Sequence, residues 1–227
     1  MTDSSVLTDA FSGLDPALRA VADPARVERM VAYMRGQFPF LGVMAADRRR
    51  ISRSCMRAAR SATPDDLLSF AERCWDQHER EFQYIGADVL RAGAASLRAG
   101  DLARVRALIQ EKSWWDTVDS LAAWTVGPMV ANHALGSEMD RWIDDPDLWV
   151  ARTAVLHQLS YKDRTDARRL FDYVERRADE PEFFMRKALG WALRQHARQD
   201  PEAVRTFIEA HRDQLSGLTV REALRRL

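Results

Sequence analysis

The chain is 227 residues long, 46% apolar and 30% charged, with 34 basic and 34 acidic residues and no net charge. That is enough apolar content for a substantial core. Total charge therefore gives no support for a polyanion partner, and ten glycines and eight prolines leave few tight turns for an all-β fold. Cys55 and Cys74 are expected as free, buried thiols in a reducing cytoplasm.

In chain order, "MTDSSVLTDAFSGL" has neither the basic start nor the apolar core of a signal peptide, and residues 1–20 allow either a short helix or a mobile segment. No apolar run approaches the roughly 18 residues needed to cross a bilayer, so a cytoplasmic protein is expected. "DPARVERMVAYMRGQ" (23–37) opens with Asp as an N-cap and Pro at the first helical position. "TPDDLLSFAERCW" (63–75) opens similarly, and "DPDLWVARTAVLHQLS", "EPEFFMRKALGWALRQHA" and "DPEAVRTFIEAH" repeat the device. No alternating run is bounded by Asn-Gly or Asp-Gly turns, so the fold class is all-α.

A shift of 34 residues aligns these helices. Ser52, Gly86, Ser120, Ala154 and Ala188 form a column of small residues, as close helix packing at one recurring point requires. Arg50, Tyr84, Val118, Arg152 and Arg186 form a second column. Met56, Leu90, Trp124, Gln158 and Ala192 form a third. Trp115, Trp149 and Phe183 fall at one step of the repeat. This pattern predicts an α-solenoid of HEAT-like or armadillo-like repeats, five to six helix pairs in a single domain over 1–227. Charge is uneven: Asp47–Arg60 holds six arginines against one acid, a formal +5, whereas Asp65–Glu81 holds two against six, a formal −4. In a solenoid this predicts one basic and one acidic face, the basic one suited to a polyanion.

Standard catalytic and ligand motifs are missing. The sequence has no GxGxxG, GxxxxGK[ST], HExxH, CxxC or GxSxG stretch, and its five histidines are scattered, so neither metal nor cofactor is expected. "KSWWDTVDS" (112–120) stands out instead. Trp115 and Asp119, four apart, share one helix face. Trp114 and Val118 form the neighbouring stripe, expected to pack inward, and Asp116 is expected as an exposed first-turn charge. Trp191 has core packing as its ordinary reading. Together with Arg152, the indoles and carboxylate suit a cationic group on a phosphodiester backbone, since an indole face attracts cations and a carboxylate stabilises a developing oxocarbenium.

The chain resembles the AlkD-type DNA alkylation repair glycosylases. The resemblance runs through "YMRGQFPFLGV" (33–43), "EREFQYIGADVL" (79–90), "KSWWDTVDS" (112–120), "LWVARTAVLHQLSYK" (148–162), "FFMRKALGWALRQHARQDP" (183–201) and "LTVREALRRL" (218–227). It implies a HEAT-like fold and hydrolytic release of cationic N3- and N7-alkylated purines, such as 3-methyladenine and 7-methylguanine, from double-stranded DNA. It puts the catalytic aspartate at Asp119, the cleft tryptophans at Trp115 and Trp191, and a DNA-contacting arginine at Arg152. Lys162 stands in for a basic residue that the family often carries where this chain has Ser160. Arg50, Arg186 and Lys187 are the further cations read as DNA-binding. A monomer is expected. The competing readings are a non-catalytic HEAT-like module that binds DNA or RNA structure, and a protein scaffold.

Overall fold

A computed structural model describes residues 4–225; residues 1–3, 226 and 227 lie outside it. Among the described residues there is no strand, and no helix is long and apolar enough to cross a membrane. The chain divides into two compact units, residues 1–112 and 113–227, which are taken in turn.

The first unit holds α1 (Ser4–Ser12), α2 (Leu14–Arg19), α3 (Pro24–Tyr33), α4 (Ala45–Ile51), α5 (Arg53–Ala59), α6 (Pro64–Asp76), α7 (Arg80–Gly93) and α8 (Leu102–Gln110). Of the two alternatives for the first twenty residues, helix is found over α1 and α2. Asp23 and Thr63 cap α3 and α6 through side-chain oxygens, as their Asp-Pro and Thr-Pro openings predict. The basic stretch Asp47–Arg60 falls on two helices, α4 and α5, broken at Ser52, whose hydroxyl donates back to Arg48 O at 2.9 Å.

The acidic stretch is also less exposed than its count suggests. Arg104 pairs with Asp65 and Glu72, each at 2.7 Å. Glu81 is fully buried and accepts the backbone N–H groups of Leu41, Gly42 and Val43 at 3.0–3.1 Å. That carboxylate ties the extended "FPFLGV" segment to α7. Gly42, with φ of 84°, is required there, because a Cβ would lie 2.2 Å from Asp23 O. Cys55 and Cys74 are buried free thiols, both pushed up in pKa by burial. Lys112, the first residue of "KSWWDTVDS", donates from Nζ to the carbonyls of Trp75 and Gln77 at the end of α6, where a cation suits the helix dipole.

The second unit holds α9 (Trp115–Leu121), a π-helical turn (Ala122–Val126), α10 (Gly127–His133), α11 (Gly136–Trp142), α12 (Leu148–Leu156), α13 (Ala167–Arg176), α14 (Phe183–His196), α15 (Pro201–Ala210) and α16 (Gly217–Leu224). The starts of α9, α12, α14 and α16, at 115, 148, 183 and 217, follow the 34-residue period to within a residue. These four helices pack in series, α9 on α12, α12 on α14 and α14 on α16. The second row packs against them, α11 on α12, α13 on α12 and α14, and α15 on α14. This is the layering of stacked helical repeats.

Small residues mark the close approaches. Ala154 and Ala188 are fully buried. A Cβ at Gly190 would lie 2.6 Å from Thr219 O on α16. Two helix starts lie two residues later than their prolines suggest: Asp147, not Asp145, caps α12, and Glu182 precedes α14 without a side-chain cap. Asp145 instead accepts the N–H of Asp147 at 2.9 Å, fixing the entry to α12.

Candidate functional site

Helix α12 is buried on all sides: every residue from Val150 to Leu156 is inaccessible, and its one charged residue, Arg152, is 3% exposed. A buried guanidinium needs partners for its donors. Arg152 finds them on both neighbouring helices. Its Nε and Nη2 donate to the two carboxylate oxygens of Asp119 on α9, each at 2.8 Å, and Nη1 donates to Phe184 O on α14. The bidentate fork fixes Asp119 in both position and plane. Burial pushes the Asp119 carboxyl above the usual carboxylate range, and the Arg152 charge opposes that rise. Asp119 retains some contact with solvent, its side chain 13% exposed.

That remaining exposure opens onto a cleft of about 550 Å³. Its walls are Asp119, Ser120, Ala123, Trp124, Leu159, Ser160, Lys162, Trp191 and Gln195. Asp119 is the only acid and Lys162 the only cation among them. Lys162 is exposed and takes a left-handed backbone, φ 57°, just after the turn that ends α12. Ser160 donates to Ala123 O at 3.1 Å, and Tyr161 donates from its hydroxyl to Gly127 O at 2.6 Å. Two hydrogen bonds thus fasten this turn to the π-helical wall opposite.

Three of the eight residues singled out from the sequence therefore meet in one cleft: Asp119, Trp191 and Lys162. Arg152 sits behind the carboxylate, with Nε, Nη1 and Nη2 all engaged inside the protein. Trp115 stands one helical turn before Asp119 on the same face, half-buried, but is not among the cleft walls. Arg186 donates from Nε to Glu180 O at 2.8 Å, and Lys187 lies 3.9 Å from Glu222; both are on α14 and neither is among these walls. Arg50 belongs to the first unit, exposed and paired with Asp47 at 3.0 Å. Val118 is fully buried, as its stripe predicts. Trp114 differs: it precedes α9 with extended backbone, half-buried, its ring 5.6 Å from Trp149 and 4.8 Å from Phe184. The aromatic cluster along the repeats is thus Trp114, Trp149 and Phe184, with tilted and edge-to-face rings, while Phe183 is 45% exposed. Asp116 is half-buried and accepts the N–H of Thr117 at 3.0 Å.

Sequence reading gave no site role to Trp124, Gln195 or the Ser160 hydroxyl. Trp124 is five residues after Asp119, about 140° around an α-helix and so off its face. The intervening π turn, with its wider i to i+5 winding, returns the indole to the cleft. Periodicity at 3.6 cannot reveal that. No group of three or more potential metal ligands occurs among the described residues.

The family model described as "DNA alkylation repair enzyme" matches residues 14–227. Among solved structures, the chain is similar to a predicted DNA alkylation repair enzyme from Enterococcus faecalis, with 28% identity and a TM-score of 0.84 over 91% of this chain and 96% of that one. Two solved structures from Streptococcus mutans share the fold at a TM-score of 0.63 over 88% of this chain and 99% of theirs, one described as smu.31, 11% identical, and one as AlkD2, 13% identical. No curated protein matches the sequence significantly.

Proposed function

The chain belongs to the DNA alkylation repair enzyme family, and from that premise we propose that it is a monofunctional DNA glycosylase acting on cationic N3- and N7-alkylated purines in double-stranded DNA. The observation that carries the reading is the Asp119–Arg152 pair: a buried carboxylate, locked by a bidentate guanidinium, at the wall of an indole-lined cleft. N-alkylation makes the purine a positively charged leaving group, so the reaction needs little acid assistance. Cleavage of the N-glycosidic bond leaves positive charge on the deoxyribose. A fixed carboxylate in a poorly solvated setting stabilises that charge with little reorganisation.

In this mechanism ionised Asp119 faces the oxocarbenium sugar and orients the attacking water; the C1′–N bond breaks with its electron pair leaving on the now neutral base, and the water adds at C1′ and gives up its proton to the Asp119 carboxylate. Trp191, with Trp115 on the face of α9, packs against the sugar and cationic base. Arg152, read from sequence as a phosphate contact, is read here as holding Asp119 in place, because three of its five N–H groups donate to Asp119 and Phe184. Phosphate contact then falls to Lys162 in the cleft, with Arg50, Arg186 and Lys187 as outlying cations. Lys162 is exposed, unlike the desolvated amines that form Schiff bases, so strand cleavage is not expected. The protein acts as a cytoplasmic monomer on this reading.

The test is incubation with methylated duplex DNA followed by chromatography of the released bases. Release of 3-methyladenine or 7-methylguanine with the strand intact is expected. The same ion pair would also serve a purely structural purpose in a non-catalytic DNA-binding module. Tight binding to abasic-site DNA with no base release would establish that alternative and overturn the glycosylase reading.

A further inference from the structure

We propose that Trp124 is a nucleotide-stacking residue of this site, one that sets DNA affinity and not the chemical step. The inference deepens the DNA-repair reading above and rests on it. The first observation is an inversion of burial. From Leu121 to Gly127 every residue is buried except Trp124, the largest of them, which is 40% exposed. In its repeat column, Leu90, Gln158 and Ala192 are buried and Met56 half-buried. A polar glutamine is thus enclosed at the position where this repeat presents an indole to solvent. The π turn Ala122–Val126 produces the difference by rotating the residue out of the column's usual direction.

The second observation is that the backbone carrying this indole is held. Ser160 donates to Ala123 O immediately before it, and Tyr161 donates to Gly127 O three residues after it. Gly127 itself allows close contact, since a Cβ there would lie 2.3 Å from His157 O. The backbone carrying Trp124 is therefore clamped on both sides to the turn that carries Lys162. A preorganised aromatic surface loses little conformational freedom on binding.

The third observation is the company it keeps. Trp124 shares the cleft with Trp191, Asp119 and Lys162. Two indoles with an adjacent exposed cation match an unstacked base on its phosphodiester backbone: rings stack on the base and the ammonium meets a phosphate. Gln195, in the same wall, supplies donor and acceptor for a base edge. The occupant assigned to this wall is a nucleotide of the DNA strand. An apolar protein surface would have no use for the cation.

The test measures equilibrium binding to a duplex with a tetrahydrofuran abasic-site analogue, and single-turnover release of 7-methylguanine, for wild type, Trp124→Phe, Trp124→Gln and Trp124→Ala. Binding should weaken in the order Phe, Gln, Ala, with Ala down by roughly 10-fold or more. The loss of affinity should exceed any loss of maximal single-turnover rate, and the slope of log Kd against log salt should not change, since no charge is removed. Melting temperatures of the four proteins show whether each is folded. If Ala does not fold, the Phe-to-Gln comparison decides alone, because both keep side-chain bulk and only one keeps a ring. Equal affinities for folded variants overturn the proposal, as does a lost maximal rate at unchanged affinity. If wild type binds DNA but releases no base, the glycosylase reading fails while the affinity order still decides the role of Trp124.

Discussion

Replacing Asp119 by Asn removes one charge and preserves shape. The carboxylate accepts two charge-assisted hydrogen bonds at 2.8 Å from a guanidinium whose side chain is 4% exposed. Breaking a buried ion pair by removing one partner costs about 3–5 kcal/mol. Asn keeps one acceptor for Arg152 but turns an amide donor toward its second N–H and leaves the guanidinium buried without a counter-charge, so a loss within that range is expected. The effect on rate is distinct. Loss of a preorganised group that stabilises transition-state charge typically costs about 3–4 kcal/mol, or 10²- to 10³-fold. Single-turnover release of 7-methylguanine from methylated duplex, with thermal melts of the same samples, separates the two effects. Arg152→Met should be damaging in both respects, because Asp119 is then buried without its counter-charge. The Asp119→Asn/Arg152→Met double variant should regain part of the lost stability, a coupling of about 1 kcal/mol or more. If Asp119→Asn releases base at the unmutated rate, its role in the chemistry is wrong. If the two stability losses simply add, the pair is not the coupled unit its geometry indicates.

Three further outcomes follow from the same structure. Because burial raises the Asp119 pKa, base release should fall on acidification at a pH above that expected for an exposed carboxylate, and a single-turnover pH profile with an ordinary carboxylate limb would contradict this. His157 is buried and neutral, donating Nδ1–H to Ala154 O at 2.6 Å, and burial lowers its pKa from 6.5 to about 4. The unfolded chain then binds a proton that the folded chain refuses between those values, so stability present above 6.5 is lost as pH falls toward about 4, by roughly 3 kcal/mol. Denaturant titrations across that range should flatten in His157→Gln. Gly127→Ala places a Cβ 2.3 Å from His157 O and should destabilise by about 1–3 kcal/mol, seen as a lower denaturation midpoint; an unchanged midpoint would mean the clamp around the π turn is slack.

Much of the architecture was legible because it is periodic. Proline and small capping residues announce helix starts locally, and a small residue every 34 positions records where helices approach. Those signals predicted the helical class, and the step shared by Trp115, Trp149 and Phe183 falls within a residue of where α9, α12 and α14 start; the proline signals were less accurate. They misplaced two starts where Asp147 and Glu182, beyond the prolines, begin the helix. They also read charge as surface, whereas Glu81 spends its charge on three buried backbone amides and Arg152 on a carboxylate and a carbonyl. A formal charge count carries no information about which side of the fold a side chain enters.

By itself, then, the sequence determined the helical repeat, its period and the pairing of Trp115 with Asp119 on one helix face, because these follow from local propensity and the 3.6-residue turn. Only the tertiary structure decided that Arg152 serves Asp119 across 33 residues of sequence, that Lys162 and Trp191 reach the same cleft, and that Trp114 and not Trp115 joins the Trp149–Phe184 cluster. It also decided the exposure of Trp124, where a π turn departs from the helical period on which sequence reading depends. Contacts between repeats and departures from regular winding arise from packing between distant segments, and no local pattern of residues encodes them.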